Sequence, residues 1–174
     1  MSTAWGPGNA NEEELIRLMD TYGGMLFSLS RMMLHDYHRA QDAVQDTFIK
    51  VYRRLEQLPD LRNEKAWLIR IAMNVCHDTL RSSWFKHVMR AVDFEELPDL
   101  PAPQDAEEQD SELLDMIRSL PTKEREVLLL YYWQNLSPDE IANTLHISRA
   151  TVYRRLEQAR NDLKLNYEGG LQYD

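Results

Sequence analysis

The chain has 174 residues, of which 43% are hydrophobic, and this is enough apolar material for the core of one domain or of two small ones. Six Gly and seven Pro are too few for a collagen-like or linker-dominated chain, and no stretch reaches the roughly eighteen apolar residues of a transmembrane helix. The N-terminus lacks the basic start and the apolar run of a secretory signal, so we expect a cytoplasmic protein without membrane insertion. The single cysteine, Cys76, excludes an internal disulfide and a cysteine-pair zinc site, and we expect no cofactor.

The net charge of −9 argues against a nucleic-acid binder, because phosphate repels an acidic surface. Ten of the 29 acidic residues, however, lie in residues 91–116, which contain no basic residue. Without this stretch the chain is close to neutral, and residues 62–90 and 148–164 each carry an excess of basic residues. An acidic stretch with three prolines has little to bury, so we predict a flexible linker between two domains.

The first half of the chain predicts three helices and no strand. The first helix begins at a capping box formed by Asn11 and Glu14, and its apolar residues recur at three-and-four spacing over residues 15–33. The second spans about residues 39–58, where a proline stops it. The third spans about residues 65–82, without a Gly or Pro to interrupt it.

The third helix has two different faces. The apolar face should point to the core, and it consists of Leu68, Ile71, Ala72, Val75 and Thr79. The second face combines an aromatic ring, basic groups and an amide at helical spacing, and it consists of Trp67, Arg70, Asn74, His77 and Arg81. Such a face could stack on unpaired bases while neutralising phosphates, which suits single-stranded nucleic acid. Taken alone, however, the pattern is better explained by a solvated polar face beside a half-buried tryptophan.

The second half is also predicted to be helical. Apolar residues at 113, 117 and 120 indicate a short helix, Pro121 begins another, and residues 127–133 form an apolar run within it. Ser137, Pro138 and Glu140 then mark a helix start as N-cap, first helical residue and capping-box acid.

That helix ends at residues 146–147, and Ser148 caps a second one, whose buried stripe is Val152, Leu156, Ala159 and Leu163. The outer face of this second helix is basic, with Arg149, Arg154, Arg155 and Arg160. The pair has the pattern of a helix-turn-helix, whose second helix fits the major groove of DNA. An ordinary helical hairpin with a solvated charged face is the alternative.

Four motifs, taken in chain order, resemble those of one protein family. They are Ala40-x-Asp42-x-x-Gln45-x-x-Phe48, Trp67-Leu68-x-Arg70-Ile71-Ala72-x-Asn74-x-x-x-Asp78-x-x-Arg81, Leu120-Pro121-x-x-x-Arg125-x-Val127-Leu128 and Glu140-Ile141-Ala142. The resemblance that they carry extends over about residues 13–165. On these motifs the chain resembles an extracytoplasmic-function (ECF) RNA polymerase sigma factor of the sigma-70 family.

The resemblance implies an all-α protein of two small helical domains joined by an acidic flexible linker. A region-two helical bundle would span residues 11–90, the linker 91–112 and a region-four helix-turn-helix domain 113–165, with tails at 1–10 and 166–174. Such a protein is not an enzyme. It binds core RNA polymerase and promoter DNA, directs promoter recognition, melting and transcription initiation, and is often held by an anti-sigma factor.

The resemblance also assigns residues to each partner. For core polymerase they are Asp42, Gln45, Asp46, Ile49 and Arg53. For the opened minus-ten strand they are Arg62, Asn63, Lys65, Trp67, Arg70, Asn74, His77 and Arg81, whereas Asp78 is expected to have a structural role. For the minus-thirty-five element they are Arg149, Thr151, Tyr153, Arg154, Arg155, Gln158 and Arg160. The chain departs from the family pattern at Ala150, Tyr153 and Gln158, so the preferred promoter sequence does not follow from the resemblance.

Two other functions stay open at this stage. A transcriptional regulator with a similar helix-turn-helix would bind duplex DNA without polymerase, whereas a sigma factor needs core polymerase to open DNA. An enzyme would have to use Cys76 or one of the five histidines. Cys76 lies beside an apolar stripe, where a buried inert thiol is usual, and His35 and His38 have no evident third metal ligand.

Overall fold

The structure is a computed structural model that describes residues 9–56, 63–90 and 111–170, with side chains described up to Ser82 and from Glu112 to Lys164 in the last two ranges. These residues form helices and no strand, as the sequence predicts. The chain divides into two compact units, Met1–Leu80 and Arg81–Asp174. Among the described helices, none combines the length and the hydropathy that a membrane crossing requires.

The first unit contains α1 (Ala10–Leu34), α2 (Tyr37–Tyr52) and the part of α3 (Glu64–Arg90) up to Leu80. The N-cap of α1 is Asn9, whose side chain accepts a hydrogen bond from the Asn11 amide, so the predicted capping box of Asn11 and Glu14 is wrong. Glu14 is instead engaged by Arg17 one turn later.

The second and third helices differ from prediction mainly in where they end. Helix α2 is capped by Asp36 and stops at Tyr52, earlier than predicted, because the Arg54 amide bonds the carbonyl of Val51 three residues back and tightens the last turn. Helix α3 continues to Arg90, beyond the predicted end at residue 82, since no Gly or Pro interrupts this stretch.

The core of the first unit is made of completely buried side chains from all three helices, among them Leu18, Leu26, Met33, Ala40, Val51, Leu68, Ile69 and Met73. The buried face of α3 is wider than the predicted stripe, because Ile69, Met73 and Cys76 are buried beside it. Two hydroxyls in this core each have a partner, one within its own helix and one on another helix. Thr47 donates to the carbonyl of Ala43 at 2.6 Å, and the Ser30 oxygen lies 3.7 Å from the Cys76 sulfur.

Polar contacts fix the start of α3. Arg17 on α1 binds the carboxylate of Glu64, and the Tyr22 hydroxyl donates to the same carboxylate at 2.8 Å. The hydrogen bond from Arg17 lowers the pKa of Glu64, which keeps this group charged at neutral pH. The Asn63 side chain accepts from the Ala66 amide at 3.0 Å and caps the helix. The first turn of α3 is therefore anchored to α1.

The second unit contains α4 (Ser111–Ser119), α5 (Thr122–Leu128), a π-helical turn (Leu129–Trp133), α6 (Pro138–Leu145) and α7 (Arg149–Gly170). Its core consists of Ile117, Leu120, Val127, Leu129, Leu130, Leu136, Ile141, Val152, Leu156 and Ala159. On α4, Leu113 is exposed, so only two of the three predicted apolar positions are buried.

Two buried charged groups connect the helices of the second unit. Arg125 donates to the carbonyls of Arg118 and Leu120 at 3.1 Å each, which satisfies the end of α4, and burial lowers the pKa of this guanidinium. Glu126 is also buried, and its carboxylate lies 3.5 Å from the guanidinium of Arg155 on α7. Burial of either charge would be costly without these partners.

Candidate nucleic-acid and polymerase interfaces

The polar face predicted on α3 is present in the structure. Arg70 and Asn74 are exposed, and Trp67 and His77 are half-buried. The predicted apolar stripe lies in the core on the opposite side of the helix, except for Thr79, which is only half-buried. Arg81, just past the boundary of the first unit, is exposed as well. The face therefore offers an aromatic ring, an amide and cationic groups along one helix, which is the combination that holds unpaired bases and their phosphates.

The segment before this face is described only in part. Arg62 lies outside the described residues. Asn63 is exposed, but its side-chain oxygen is occupied by the cap of α3, and Lys65 beside it is half-buried. Asp78, expected to have a structural role, is exposed and lies 4.0 Å from the Lys50 amine on α2.

Cys76 lacks the environment of a catalytic thiol. It is completely buried, and burial raises the pKa of its thiol to about 11, so the nucleophilic thiolate is scarce at neutral pH. Within the described ranges, the side chains form no cluster of three His, Cys, Asp or Glu that could hold a metal ion.

A groove of about 820 Å³ lies between α1 and α2. Gln45, Ile49 and Arg53 line it, and these are three of the five residues predicted to bind polymerase. Asp42 and Asp46 are exposed on the same helix. The remaining lining residues are Glu12, Leu15, Met19, Gly23, Val44, Phe48 and Tyr52.

The sequence did not point to the α1 side of this groove. Met19 belongs to the apolar residues that recur at three-and-four spacing along α1, yet 46% of it is exposed, and Ile49 opposite is 51% exposed. Met19 stands at the edge of the stripe, so spacing alone could not tell that it borders the core without entering it. Exposed apolar side chains around a groove mark a surface suited to a protein partner.

The geometry of the helix-turn-helix in the second unit follows the predicted signals closely. The Ser137 side chain accepts from the Glu140 amide at 3.2 Å, and the Glu140 carboxylate accepts from the Ser137 amide at 2.8 Å. The turn has no glycine, and His146 takes the left-handed conformation (φ 55°) that ends α6. The Ser148 hydroxyl then caps α7 by accepting from the Thr151 amide at 3.1 Å.

The outer face of α7 carries most of the residues predicted for DNA. Arg149, Tyr153, Arg154 and Gln158 are exposed, and Thr151 is half-buried, with its hydroxyl 2.8 Å from that of Ser148.

The sequence predicted Arg155 on this outer face, but the structure does not place it there. Only 14% of its side chain is exposed, because the guanidinium is held by the buried Glu126. In the structure it joins α7 to α5.

The positions of three aromatic residues in the π-helical turn were not predicted from the sequence. Residues 127–133 were predicted as one apolar run, but the extra residue in a π turn rotates Tyr132 and Trp133 outward, and about half of each side chain is exposed. The Nε of Arg160 donates to the Tyr132 hydroxyl at 2.7 Å, and its guanidinium lies over the rings of Tyr131 and Tyr132. Arg160, predicted to contact phosphate, is thus also part of an aromatic cluster.

Comparison with known protein families gives two matches, one in each half of the chain. The profile described as Sigma-70 region 2 matches residues 18–86, and that described as Sigma-70, region 4 matches residues 110–163. The first spans α3 and its polar face, and the second spans the helix-turn-helix.

Curated relatives match over most of their length. The RNA polymerase sigma-E factor of Streptomyces coelicolor is 31% identical over 159 residues, which are 87% of this chain and 85% of the relative. The ECF RNA polymerase sigma factor SigL of Mycobacterium tuberculosis is 29% identical over 163 residues, covering 91% of this chain and 92% of the relative. SigW of Bacillus subtilis, also an ECF RNA polymerase sigma factor, is 28% identical over 166 residues, covering 88% of this chain and 89% of the relative.

Two solved structures share the fold. The sigma factor RpoE from Bartonella quintana, solved with the anti-sigma factor NepR, has a TM-score of 0.68 at 21% identity and matches 90% of this chain and 96% of its own. CnrH, solved with the cytosolic domain of CnrY, has a TM-score of 0.64 at 24% identity and matches 93% of this chain and 91% of its own. With both sigma regions in order and full-length relatives of this kind, the chain belongs to the sigma-70 family and, within it, to the ECF sigma factors.

Proposed function

We propose that this sigma factor binds bacterial core RNA polymerase through the face of α2, holds the opened minus-ten strand on α3, and reads the minus-thirty-five element with α7. The observation that carries the proposal is the α3 face of half-buried Trp67 and exposed Arg70 and Asn74, in the same chain as a helix-turn-helix. A regulator that binds only duplex DNA has no need of a surface for unpaired bases. That alternative, and an enzyme, are therefore not favoured.

The opened strand would lie along the polar face of α3. Trp67 can stack on a base, Asn74 can hydrogen-bond to one, and Arg70 and Arg81 can neutralise phosphates. Arg62, Asn63, Lys65 and His77 would complete this surface. Because the Asn63 oxygen caps α3, this residue would contribute through its amide nitrogen.

Core polymerase would bind the exposed face of α2 and the groove next to it. Asp42, Asp46 and Arg53 provide charge, while Ile49 provides an exposed apolar side chain at the centre. A buried apolar centre within a polar rim is the usual anatomy of a protein interface. The α1 side of the groove, at Met19, would extend this surface.

The minus-thirty-five element would face Arg149, Thr151, Tyr153, Arg154 and Gln158 on α7, with Arg160 next to the backbone. Arg155 has a structural role in this proposal, because Glu126 holds it inside. We assign residues 11–90 to the region-two domain, 91–112 to the linker and 113–165 to the region-four domain. The protein would act in the cytoplasm, where promoters and polymerase are found, and would catalyse no reaction itself.

An anti-sigma factor is proposed as a further partner. RpoE of Bartonella quintana was solved with its anti-sigma factor NepR, and CnrH with the cytosolic domain of CnrY. The present chain shares their fold, so we propose that a protein partner of this kind controls it.

Reconstituted transcription tests the proposal. The purified chain, mixed with core RNA polymerase and a library of bacterial promoter fragments, should give transcripts that start at defined sites, and neither component should do so alone. Tight and specific binding to duplex DNA by the chain alone, with no polymerase-dependent transcript from any fragment, would contradict the proposal and favour a regulator.

A further inference from the structure

Arg149, the first residue of α7, is held by two neighbours. Its Nη1 lies 3.6 Å from a carboxylate oxygen of Asp139 on α6, and its Nη2 donates to the Tyr153 hydroxyl at 3.3 Å. The same guanidinium lies over the Tyr153 ring, 5.6 Å from its centroid. The arrangement links both helices of the helix-turn-helix through one exposed cation.

Asp139 is itself firmly placed. It lies in the first turn of α6, between the capping residues Ser137 and Glu140, whose reciprocal hydrogen bonds fix the helix start. A carboxylate here is favoured by the helix dipole. Its carboxylate, 69% exposed, therefore extends from a fixed helix turn beside the start of α7.

Two general properties decide what this arrangement does on DNA. An arginine that reads guanine must present its planar fork to O6 and N7 in the major groove, so a restrained guanidinium loses less freedom on binding. A carboxylate next to the cation, by contrast, repels DNA phosphates and weakens a contact to the backbone. Asp139 is thus useful for reading a base and harmful for binding a phosphate.

We propose that Asp139 is a positioning residue that presents Arg149 to a guanine of the minus-thirty-five element, with Tyr153 as the second support. The inference deepens the proposed function and rests on it. Arg149 makes the base contact, and Asp139 determines how strongly guanine is preferred at that one position.

The test is promoter selection by the reconstituted holoenzyme from a library in which the upstream element is randomised. Sequencing of the selected promoters gives the base preference at each position. Arg149→Ala should reduce the preference for guanine at one position by about 5- to 100-fold, the range of one bidentate base contact. Asp139→Asn should reduce it about threefold or more at the same position, while total DNA binding stays equal or rises because one acidic group is gone.

Glu112→Gln, which removes an exposed carboxylate from α4, is the matched control and should leave every position unchanged. Circular dichroism and thermal melting check that Asp139→Asn stays folded, and Asp139→Glu should recover part of the preference. A uniform loss of binding in Asp139→Asn, or an unchanged preference, would overturn the inference.

Failure of the positioning role and failure of the proposed function give different results. If Arg149→Ala alters one position and Asp139→Asn does not, only the positioning role of Asp139 is wrong. If neither Arg149→Ala nor Arg154→Ala alters the selected upstream sequence, α7 is not the reader and the proposed function itself fails in this domain.

Discussion

The carboxyl group of Glu124 should make the second unit less stable as the pH rises. Glu124 lies in the first turn of α5, and its side chain is hydrogen-bonded to that of Asp162 on α7. One of its oxygens is buried without a hydrogen-bond partner among the described residues. Burial, followed by the hydrogen bond and the charge of Asp162, raises the pKa of Glu124 to about 7.

The direction follows from proton binding in the two states. The unfolded chain releases this proton near pH 4.5, whereas the folded chain keeps it up to about pH 7. Between these values the folded state binds more protons, so the free energy of unfolding falls as the pH rises through this window. Above the window the ionised Glu124 still destabilises the unit, but its contribution no longer changes with pH. A shift of this size corresponds to at most about 3 kcal/mol, and since Glu124 is only half-buried we expect about 1–2 kcal/mol.

Glu124→Gln removes the charge but keeps the shape and a hydrogen-bond donor toward Asp162. At pH 8 the variant should be more stable than the parent by about 1–2 kcal/mol, and the difference should shrink toward pH 5. Urea unfolding of the full chain, followed by amide NMR signals of α5 and α7, measures this unit separately. Glu112→Gln is the control. A Glu124→Gln effect that is equal at pH 5 and pH 8 would refute the reasoning.

Three further predictions concern the interfaces and the domain boundary. Arg154→Ala should reduce discrimination between upstream-element sequences by about 1–3 kcal/mol without loss of fold, as measured by transcription from upstream variants. Val152→Asp should instead unfold the second unit, because it buries a charge, and circular dichroism would show this loss. Ile49→Asp should weaken binding to core polymerase by about 1–3 kcal/mol, whereas the control Ile16→Asp, exposed on α1 but outside the groove, should not. Equal losses for both variants in a competition assay would contradict a polymerase-binding role of the groove. Limited proteolysis within residues 96–110 should leave two helical fragments, because each unit has its own core. Resistance to cleavage there, together with a single joint unfolding transition, would contradict the assignment of a linker.

Local signals in the sequence predicted which helices form more accurately than where each helix begins and ends. Ser137 and Ser148 cap their helices as expected, because an N-cap needs only a side chain and an amide two or three residues apart. The cap of α1 is Asn9 and not the predicted Asn11, whose amide instead donates to the Asn9 side chain. The π-helical turn was unforeseen, since an apolar run has the same composition whether or not it includes the extra residue.

Sequence analysis predicted the parts of the candidate sites that lie on the face of a single helix, but not the parts that depend on contacts between helices. The polar face of α3 and the outer face of α7 follow from helical periodicity, and most of their residues are where periodicity places them. Arg155 was misplaced because its partner Glu126 is distant in sequence, and no local pattern indicates such an ion pair. The α1 side of the groove was missed for the same reason, since it depends on the packing of two helices.

The central claim is that α3 holds the opened promoter strand, and Asn74 tests it most directly. Asn74 is exposed, so Asn74→Ala should leave the fold, polymerase assembly and closed-complex binding unchanged. Permanganate reactivity of thymines in the downstream element, measured with the reconstituted holoenzyme, should fall by the equivalent of about 1–3 kcal/mol for one lost base contact. A pre-melted promoter should restore little of it, and the control Asp20→Asn, at an exposed position of α1, should match the parent. Unchanged melting in Asn74→Ala and in the Trp67→Ala/Arg70→Ala double variant would contradict the claim.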